Sequence, residues 1–160
     1  MPGTLNSIAV SLALLMAAWR PAPAASFDTE MLKAHNQVRA TIPVRPLAWS
    51  AKLAAAAQKW ADHLLASGGF EHQRHPDTGE NLFEAGGYVA TPAQIVAAWA
   101  SEAADYHYRT NTCSAKCGHY TQLVWASTRE VGCAQAGDAR RQVVVCEYNP
   151  PGNYLGERPW

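Results

Sequence analysis

The stretch that decides the fold of this chain runs from residue 117 to residue 125 and reads Cys-Gly-His-Tyr-Thr-Gln-Leu-Val-Trp. Shortly after it comes Gly132-Cys133-Ala134. A histidine, two cysteines and a strand-like apolar run are thus gathered in one short region. A second distinctive stretch, residues 146–160, reads Cys-Glu-Tyr-Asn-Pro-Pro-Gly-Asn-Tyr-Leu-Gly-Glu-Arg-Pro-Trp. Two separated stretches of this kind, in this order, are far more specific than either one alone.

The N-terminus reads as a targeting segment. Residues 8–19 are apolar, but the run is too short to span a bilayer, which takes about 20 residues. Ala22-Pro23-Ala24 fits a small-residue cleavage site, although residues 1–7 contain no Lys or Arg. We therefore predict a secretory signal peptide over residues 1–24, no transmembrane span, and a single domain over residues 25–160. The protein would be extracellular, or periplasmic if its source is bacterial.

The charge balance excludes one class of partner. The chain has 13 Lys and Arg against 13 Asp and Glu, and loss of residues 1–24 would remove only Arg20, leaving a formal charge of −1. Nucleic-acid binding requires a clustered basic face. The one basic pair, Arg140-Arg141, falls where a hairpin turn is expected, so we predict a solvated turn and no nucleic-acid partner.

Four cysteines in an exported chain indicate disulfides, with three pairings open. Chain entropy weakly favours the longer loops of a crossed pairing. The expected turn between the runs that contain Cys133 and Cys146 favours joining those two. A zinc site made of cysteines is not indicated, because Cys113-x3-Cys117 has no second ligand pair nearby.

Helical signals come first and strand signals come late. Asp28 is a candidate N-cap for a helix running to about Ala40, and Ser50 for one that stops at Gly68-Gly69. Thr91-Pro92-Ala93-Gln94 combines a capping box with an N-terminal proline, which predicts a third helix to about Tyr106. Strands are predicted over residues 122–126, 131–136 and 142–148, the last two joined by a turn. This order is typical of a one-domain α+β protein.

Together, the stretches at residues 117–134 and 146–160 resemble the signatures of the CAP superfamily, which comprises cysteine-rich secretory proteins, antigen 5 and pathogenesis-related class 1 proteins. The resemblance covers nearly all of residues 25–160. It implies a three-layer α-β-α sandwich with a central antiparallel sheet. It also implies the bridges Cys113–Cys117 and Cys133–Cys146, while a third bridge common in pathogenesis-related class 1 proteins is missing from this sequence.

One residue is anomalous by itself: Glu102 falls on the apolar face of the third predicted helix, where a carboxylate is costly to bury without a partner. The resemblance gives it a role, because similar proteins gather two histidines and two glutamates around a central cavity. Carried onto this sequence, the cavity cluster is His72, Glu80, Glu102 and His119. His75 competes with His72, since this loop varies in length, and the Phe-Glu-His context favours His72.

The chemistry of that cluster is coherent. The imidazoles of His72 and His119 suit a divalent transition metal, with zinc the first candidate, and the glutamates would orient them or position a metal-bound water. Without metal the same groups would form a polar hydrogen-bonded cluster, so no cofactor is strictly required. The sequence contains no contiguous His-Glu-x-x-His helix, and the metal prediction therefore comes from the resemblance.

Three functions remain open at this stage. The resemblance favours a secreted binding module for a sterol, another lipid, or a host or membrane-associated protein. The alternative is a metal-assisted, protease-like hydrolase that uses the same four residues, and a third is a structural or signalling protein. Ser101, Ser114, Thr121 and Ser127 are the nearby hydroxyls, but none lies in a Gly-x-Ser-x-Gly elbow. The balance therefore favours a binding protein over an enzyme.

Overall fold

The computed structural model of the chain describes residues 25–74 and 77–160. The predicted signal peptide over residues 1–24 lies outside the described residues, and so does His75. In the described part, no helix is long and apolar enough to cross a membrane.

The described residues form helices and strands in the following order. The helices are α1 (Phe27–Arg39), α2 (Ala51–Ser67), α3 (Pro92–Ser101) and α4 (Gly118–Leu123), with a 3-10 helix Glu102–Asp105 directly after α3. The strands are β1 (Ala48–Trp49), β2 (Gly79–Gly86), β3 (Tyr106–His107), β4 (Thr112–Cys113), β5 (Glu130–Gly137) and β6 (Arg141–Asn149).

The helix ends follow from local capping chemistry. Ser26, and not the predicted Asp28, caps α1, because its hydroxyl accepts the Thr29 N–H and satisfies one of the free donors of the first turn. Gly68 ends α2 in the left-handed conformation, at φ 72°. The predicted capping box of α3 is present between Thr91 and Gln94. That helix ends at Ser101, short of the predicted Tyr106, because the backbone tightens into the 3-10 helix there.

One strand prediction fails and one strand was not predicted, each for its own physical reason. Residues 122–126 form no strand, because the run lies at the end of α4 and just beyond it, with residues 122–125 buried. A short apolar run fits a buried helix end as well as a strand. Conversely, β2 was missed, because it begins with the polar Gly79-Glu80-Asn81 and has no clean alternation. The predicted strands over residues 131–136 and 142–148 are present as β5 and β6.

The main sheet has the strand order β1-β5-β6-β2. The three long strands are antiparallel, whereas the two-residue β1 pairs parallel to β5. The sheet is therefore mixed, and the expected purely antiparallel sheet is corrected by that one edge strand. β3 and β4 form a separate small hairpin.

Both faces of this sheet are covered by helices. On one face, α2 packs Ala57, Ala61 and Leu64 against Val143 and Val145 of β6. On the other face, α1, α3 and α4 pack against the alternate residues of the same strand. Because β6 is buried from both sides, its middle, residues 143–146, is a continuous apolar run. The result is the α-β-α sandwich that the sequence predicted.

Covalent and polar ties fix these layers. The disulfides are Cys113–Cys117 and Cys133–Cys146, and the second joins directly opposed residues of β5 and β6. Arg141 was predicted to lie in a solvated turn, but its guanidinium donates to the carbonyls of Leu64 and Gly69 and pairs with Glu84. It therefore ties the hairpin to the end of α2.

The first helix is anchored by two side chains that the sequence assigned to structural work. The Asn36 amide exchanges two hydrogen bonds with the backbone of Leu47, at 2.7 and 3.0 Å. The fully buried Arg39 donates to four backbone carbonyls in the loops around it. These are the carbonyls of Arg45, Leu123, Trp125 and Thr128. Together they hold α1 against the chain that follows α4.

Candidate functional site

The four side chains named from the resemblance line one cavity of about 410 Å³. Its walls come from the loop before β2, the start of β2, the 3-10 helix, the start of α4 and the C-terminal segment. The lining residues are His72, Glu80, Asn81, Glu102, Lys116, Gly118, His119 and Asn153.

Glu102 and His119 form a close pair across two elements. The Nδ1 of His119 lies 2.7 Å from Oε1 of Glu102. The other oxygen, Oε2, accepts the backbone N–H groups of His119 at 2.9 Å and of Tyr120 at 3.3 Å. Glu102 thus satisfies free donors at the first turn of α4, where negative charge is favoured. This contact explains how a carboxylate survives on the apolar side of α3, with only 15% of its side chain exposed.

His72 and Glu80 form a second pair in the lining of the same cavity. Nδ1 of His72 lies 2.6 Å from Oε1 of Glu80, which also accepts the backbone N–H of Gln73 at 3.1 Å. The Glu80 side chain is 8% exposed and the His72 side chain 61% exposed. The hydrogen bond to Glu80 raises the pKa of His72 above its usual value, against the smaller opposing effect of partial burial.

The two pairs share one arrangement. A carboxylate at Nδ1 favours the tautomer with the proton on that nitrogen, which leaves the lone pair on Nε2. Within the described part of the chain, Nε2 of neither histidine makes a hydrogen bond, and Oε2 of Glu80 is buried with no donor. Two imidazoles, each oriented by a glutamate and each with one free nitrogen, are donors of the type that divalent transition metals bind. The remaining coordination positions would be open to other ligands.

His75 was the other candidate for the cavity position that the sequence analysis assigned to His72. His75 lies outside the described residues, and of the two only His72 has a described position, at the cavity wall. The assignment of His72 as the cavity histidine therefore stays a prediction.

A second group of potential metal ligands lies in the core. One ligand atom each from His35, Cys133 and Cys146 lie within 4.8 Å of one another, the only such group of three among residues 25–74 and 77–160. A thiolate is the metal-binding form of cysteine, and here both sulfurs are joined in a disulfide. The two nitrogens of His35 lie 2.7 Å from the Met31 carbonyl and 2.9 Å from the Tyr148 hydroxyl. In the oxidised protein this group is a packed core contact and not a metal centre.

Nearby hydroxyls have other partners. Ser101 donates to the Ala98 carbonyl at 2.7 Å, Ser114 lies 3.2 Å from Oδ1 of Asp105, and Thr121 donates to Asn153 at 2.6 Å. No described hydroxyl is hydrogen-bonded to His72 or His119. The geometry gives no serine or threonine nucleophile activated by these histidines.

Three residues that line the cavity were not predicted from the sequence. Asn81 donates to the His119 carbonyl at 3.1 Å and to the Tyr148 hydroxyl at 3.2 Å, which links the cavity wall to His35 in the core. The sequence contained one sign of this role, since Asn81 directly follows Glu80 in the Gly-Glu-Asn-Leu motif. Lys116 and Asn153 reach the cavity only through the short Cys113–Cys117 loop and the C-terminal segment, which no local pattern could place.

Comparison with known proteins agrees with this architecture. Residues 32–148 match the CAP family, described as the cysteine-rich secretory protein family. This chain belongs to the CAP family. Pathogenesis-related protein PR-1 of Medicago truncatula is 43% identical to it over 139 residues, which span 84% of this chain and 80% of that protein.

Solved CAP-family structures share the fold at lower identity. Venom allergen-like protein 4 of Schistosoma mansoni superposes with a TM-score of 0.70 at 23% identity, covering 86% of this chain and 95% of that one. A crystal structure of NaASP2 with Zn²⁺ gives a TM-score of 0.70 at 21% identity, covering 85% of this chain and 86% of that one. These likenesses establish the α-β-α sandwich for this CAP-family chain.

Proposed function

We propose that this protein is a secreted CAP-family binding module whose cavity holds a divalent transition metal, with zinc the first candidate, between His72 and His119. The observation that carries the proposal is the pair of Nδ1-to-carboxylate contacts, at 2.6 and 2.7 Å, on the walls of one cavity. Such carboxylates orient an imidazole and increase its basicity, and they are typical partners of metal-binding histidines. The structural relative crystallised with Zn²⁺ supports the choice of metal.

Export is supported by separate observations. The predicted signal peptide over residues 1–24 precedes the domain, and all four cysteines are paired. Disulfides persist in oxidising compartments and are rare in the cytosol. The family itself is described as secretory. A secreted protein would meet zinc outside the cell.

The metal proposal is tested by titrating zinc into chelator-treated protein in a calorimeter. We expect one zinc ion to bind per chain, and we expect His72→Ala and His119→Ala each to weaken binding by tenfold or more. Glu102→Gln, which alters only the carboxylate that orients His119, should weaken it about tenfold. His107→Ala is the matched control, because His107 is exposed and does not line the cavity.

Two outcomes would change the conclusion. If wild-type protein binds no zinc, or if the two cavity variants bind it as tightly as His107→Ala does, the metal proposal is wrong. If the zinc-loaded protein cleaves peptides, and a chelator or His119→Ala abolishes this while the protein stays folded, the hydrolase is the better description. A bound metal would supply polarisation of an oxygen ligand, and the described hydroxyls supply no competing nucleophile.

A second binding function has its own observation. A groove of about 280 Å³ runs between α1 and α3 and is lined mainly by small and apolar side chains. Its lining residues are Ala34, Gln37, Val38, Thr41, Ala93, Val96 and Ala97. We propose it as the place where a sterol or another lipid would bind, since apolar concave surfaces with few polar groups suit such ligands.

A further inference from the structure

Lys116 brings an uncompensated positive charge to the metal cavity. It is the only Lys or Arg among the described residues that line it. It lies in the three-residue connection between Cys113 and Cys117, directly before α4. Within the ranges that the structure describes, its ammonium takes part in no hydrogen bond or ion pair. The short disulfide loop therefore holds a cation at the mouth of the cavity.

Both carboxylates of the cavity accept N–H donors, although Oε2 of Glu80 accepts none. Glu102 accepts three N–H donors, from the His119 ring and from the backbone of His119 and Tyr120. Oε1 of Glu80 accepts two, from the His72 ring and the backbone of Gln73. Neither carboxylate pairs with Lys116 in the described structure. Lys116 is exposed, and an anionic ligand in the cavity would supply the ion pair that its ammonium lacks.

We propose that the cavity binds a carboxylate-bearing ligand together with the metal, one oxygen filling an open metal position and the carboxylate pairing with Lys116. This inference rests on the proposed metal site. A divalent ion added between neutral imidazoles increases the positive charge next to Lys116, so an anion is favoured over a neutral ligand. The cavity volume of about 410 Å³ leaves room for a ligand much larger than one water.

The geometry also accounts for selectivity. The Asn153 amide is held in place, because its oxygen accepts from Thr121 and its nitrogen donates to the Gly118 carbonyl. Asn81 donates both of its side-chain N–H groups, to the His119 carbonyl and to the Tyr148 hydroxyl. Lys116 is the only ammonium among the described lining residues, and it should decide whether the ligand carries a negative charge.

Cobalt(II) provides a direct test, because its visible absorption spectrum changes when an anion enters its coordination sphere. The protein is loaded with Co²⁺ and titrated with acetate. We expect a saturable spectral change, and we expect Lys116→Gln to raise the Kd for acetate about three- to tenfold, as loss of one charge-assisted contact implies. Lys116→Arg should retain most of the affinity.

Controls separate this inference from the metal proposal. Lys59→Gln removes an exposed lysine of α2 that does not line the cavity, and it should leave acetate binding unchanged. Affinity for Co²⁺ itself should not fall in Lys116→Gln. If Co²⁺ binds but acetate causes no spectral change, or if Lys116→Gln matches Lys59→Gln, the inference is wrong and the metal site stands. If Co²⁺ does not bind at all, both fail.

Discussion

At the scale of single residues, Glu102 and Arg39 show how extensive hydrogen bonding offsets the cost of removing a charge from water. Glu102 looked anomalous in sequence, yet it accepts three N–H donors at the start of α4. Arg39 is fully buried, and its guanidinium donates hydrogen bonds to four backbone carbonyls. Burial lowers its pKa to about 10, so it stays charged at neutral pH. Such groups cost stability when a partner is removed, and for that reason they specify one arrangement of the loops.

His35 carries the clearest pH dependence. It is fully buried between α1 and the sheet, and burial lowers its pKa to about 4 from a usual 6.5. Between these values the unfolded chain binds a proton that the folded chain does not. The stability gained from neutral His35 is therefore complete above pH 6.5 and is lost as the pH falls to about 4.

We predict that this group removes about 3 kcal/mol of unfolding free energy between pH 7 and pH 4. Urea unfolding at both pH values should show the loss in the wild type. In His35→Gln, which cannot titrate, the pH dependence should be smaller by that amount, whatever its starting stability. Equal pH dependence in the two proteins would contradict the prediction, since their carboxylates are the same.

At the scale of elements, the central contact is that of α2 with β5. Gly132 lies where the first turn of α2 crosses the strand. A Cβ built on it would come within 2.5 Å of the Ser50 carbonyl oxygen and 2.7 Å of the Leu53 carbonyl carbon. These are backbone atoms, which cannot rotate away. The glycine beside Cys133 is therefore required by close packing and not by turn geometry.

Gly132→Ala should destabilise the protein by about 3 kcal/mol or more, because α2 must move off the sheet. Gly86→Ala is the matched control. Gly86 is also in a strand of the same sheet, and its added Cβ would meet nothing nearer than the Arg140 carbonyl oxygen at 4.0 Å. Thermal unfolding of both variants decides the matter. A Gly132→Ala protein as stable as Gly86→Ala would show that the helix adjusts without cost.

At the scale of the whole molecule, the two candidate binding regions lie on different walls. The cavity proposed to hold a metal lies among the 3-10 helix, α4 and the edge strand β2, whereas the apolar groove runs between α1 and α3. They share no lining residue. Binding at one should therefore proceed without the other, unless the helical layer as a whole moves.

Ala97→Phe places a bulky ring in the groove and should abolish binding of a fluorescent sterol while zinc affinity stays within twofold. His119→Ala should do the reverse. Ala98→Phe is the control, because Ala98 is exposed on the same helix and does not line the groove. Sterol binding that survives Ala97→Phe, or that fails equally in both phenylalanine variants, would show that the groove is not the lipid site.

Local chemistry let the sequence determine much of this protein. The capping box at Thr91, the glycine at position 68 and the continuous apolar run of β6 each express an interaction within a few residues. Two signature stretches were enough to predict the family, the three-layer architecture and both disulfides. The sequence also named Glu80, Glu102, His72 and His119, but only through resemblance, since no spacing joins residues so far apart.

Tertiary structure decided the rest. It placed β2 beside β6 although the strand begins with polar residues, and it put residues 122–126 at and beyond the end of α4 instead of in a strand. It also paired each histidine with its own glutamate and brought Lys116 to the cavity. The physical reason is that burial and charge pairing depend on which segments meet in space, and the meeting is fixed by the packing of whole layers and not by the neighbours of a residue along the chain.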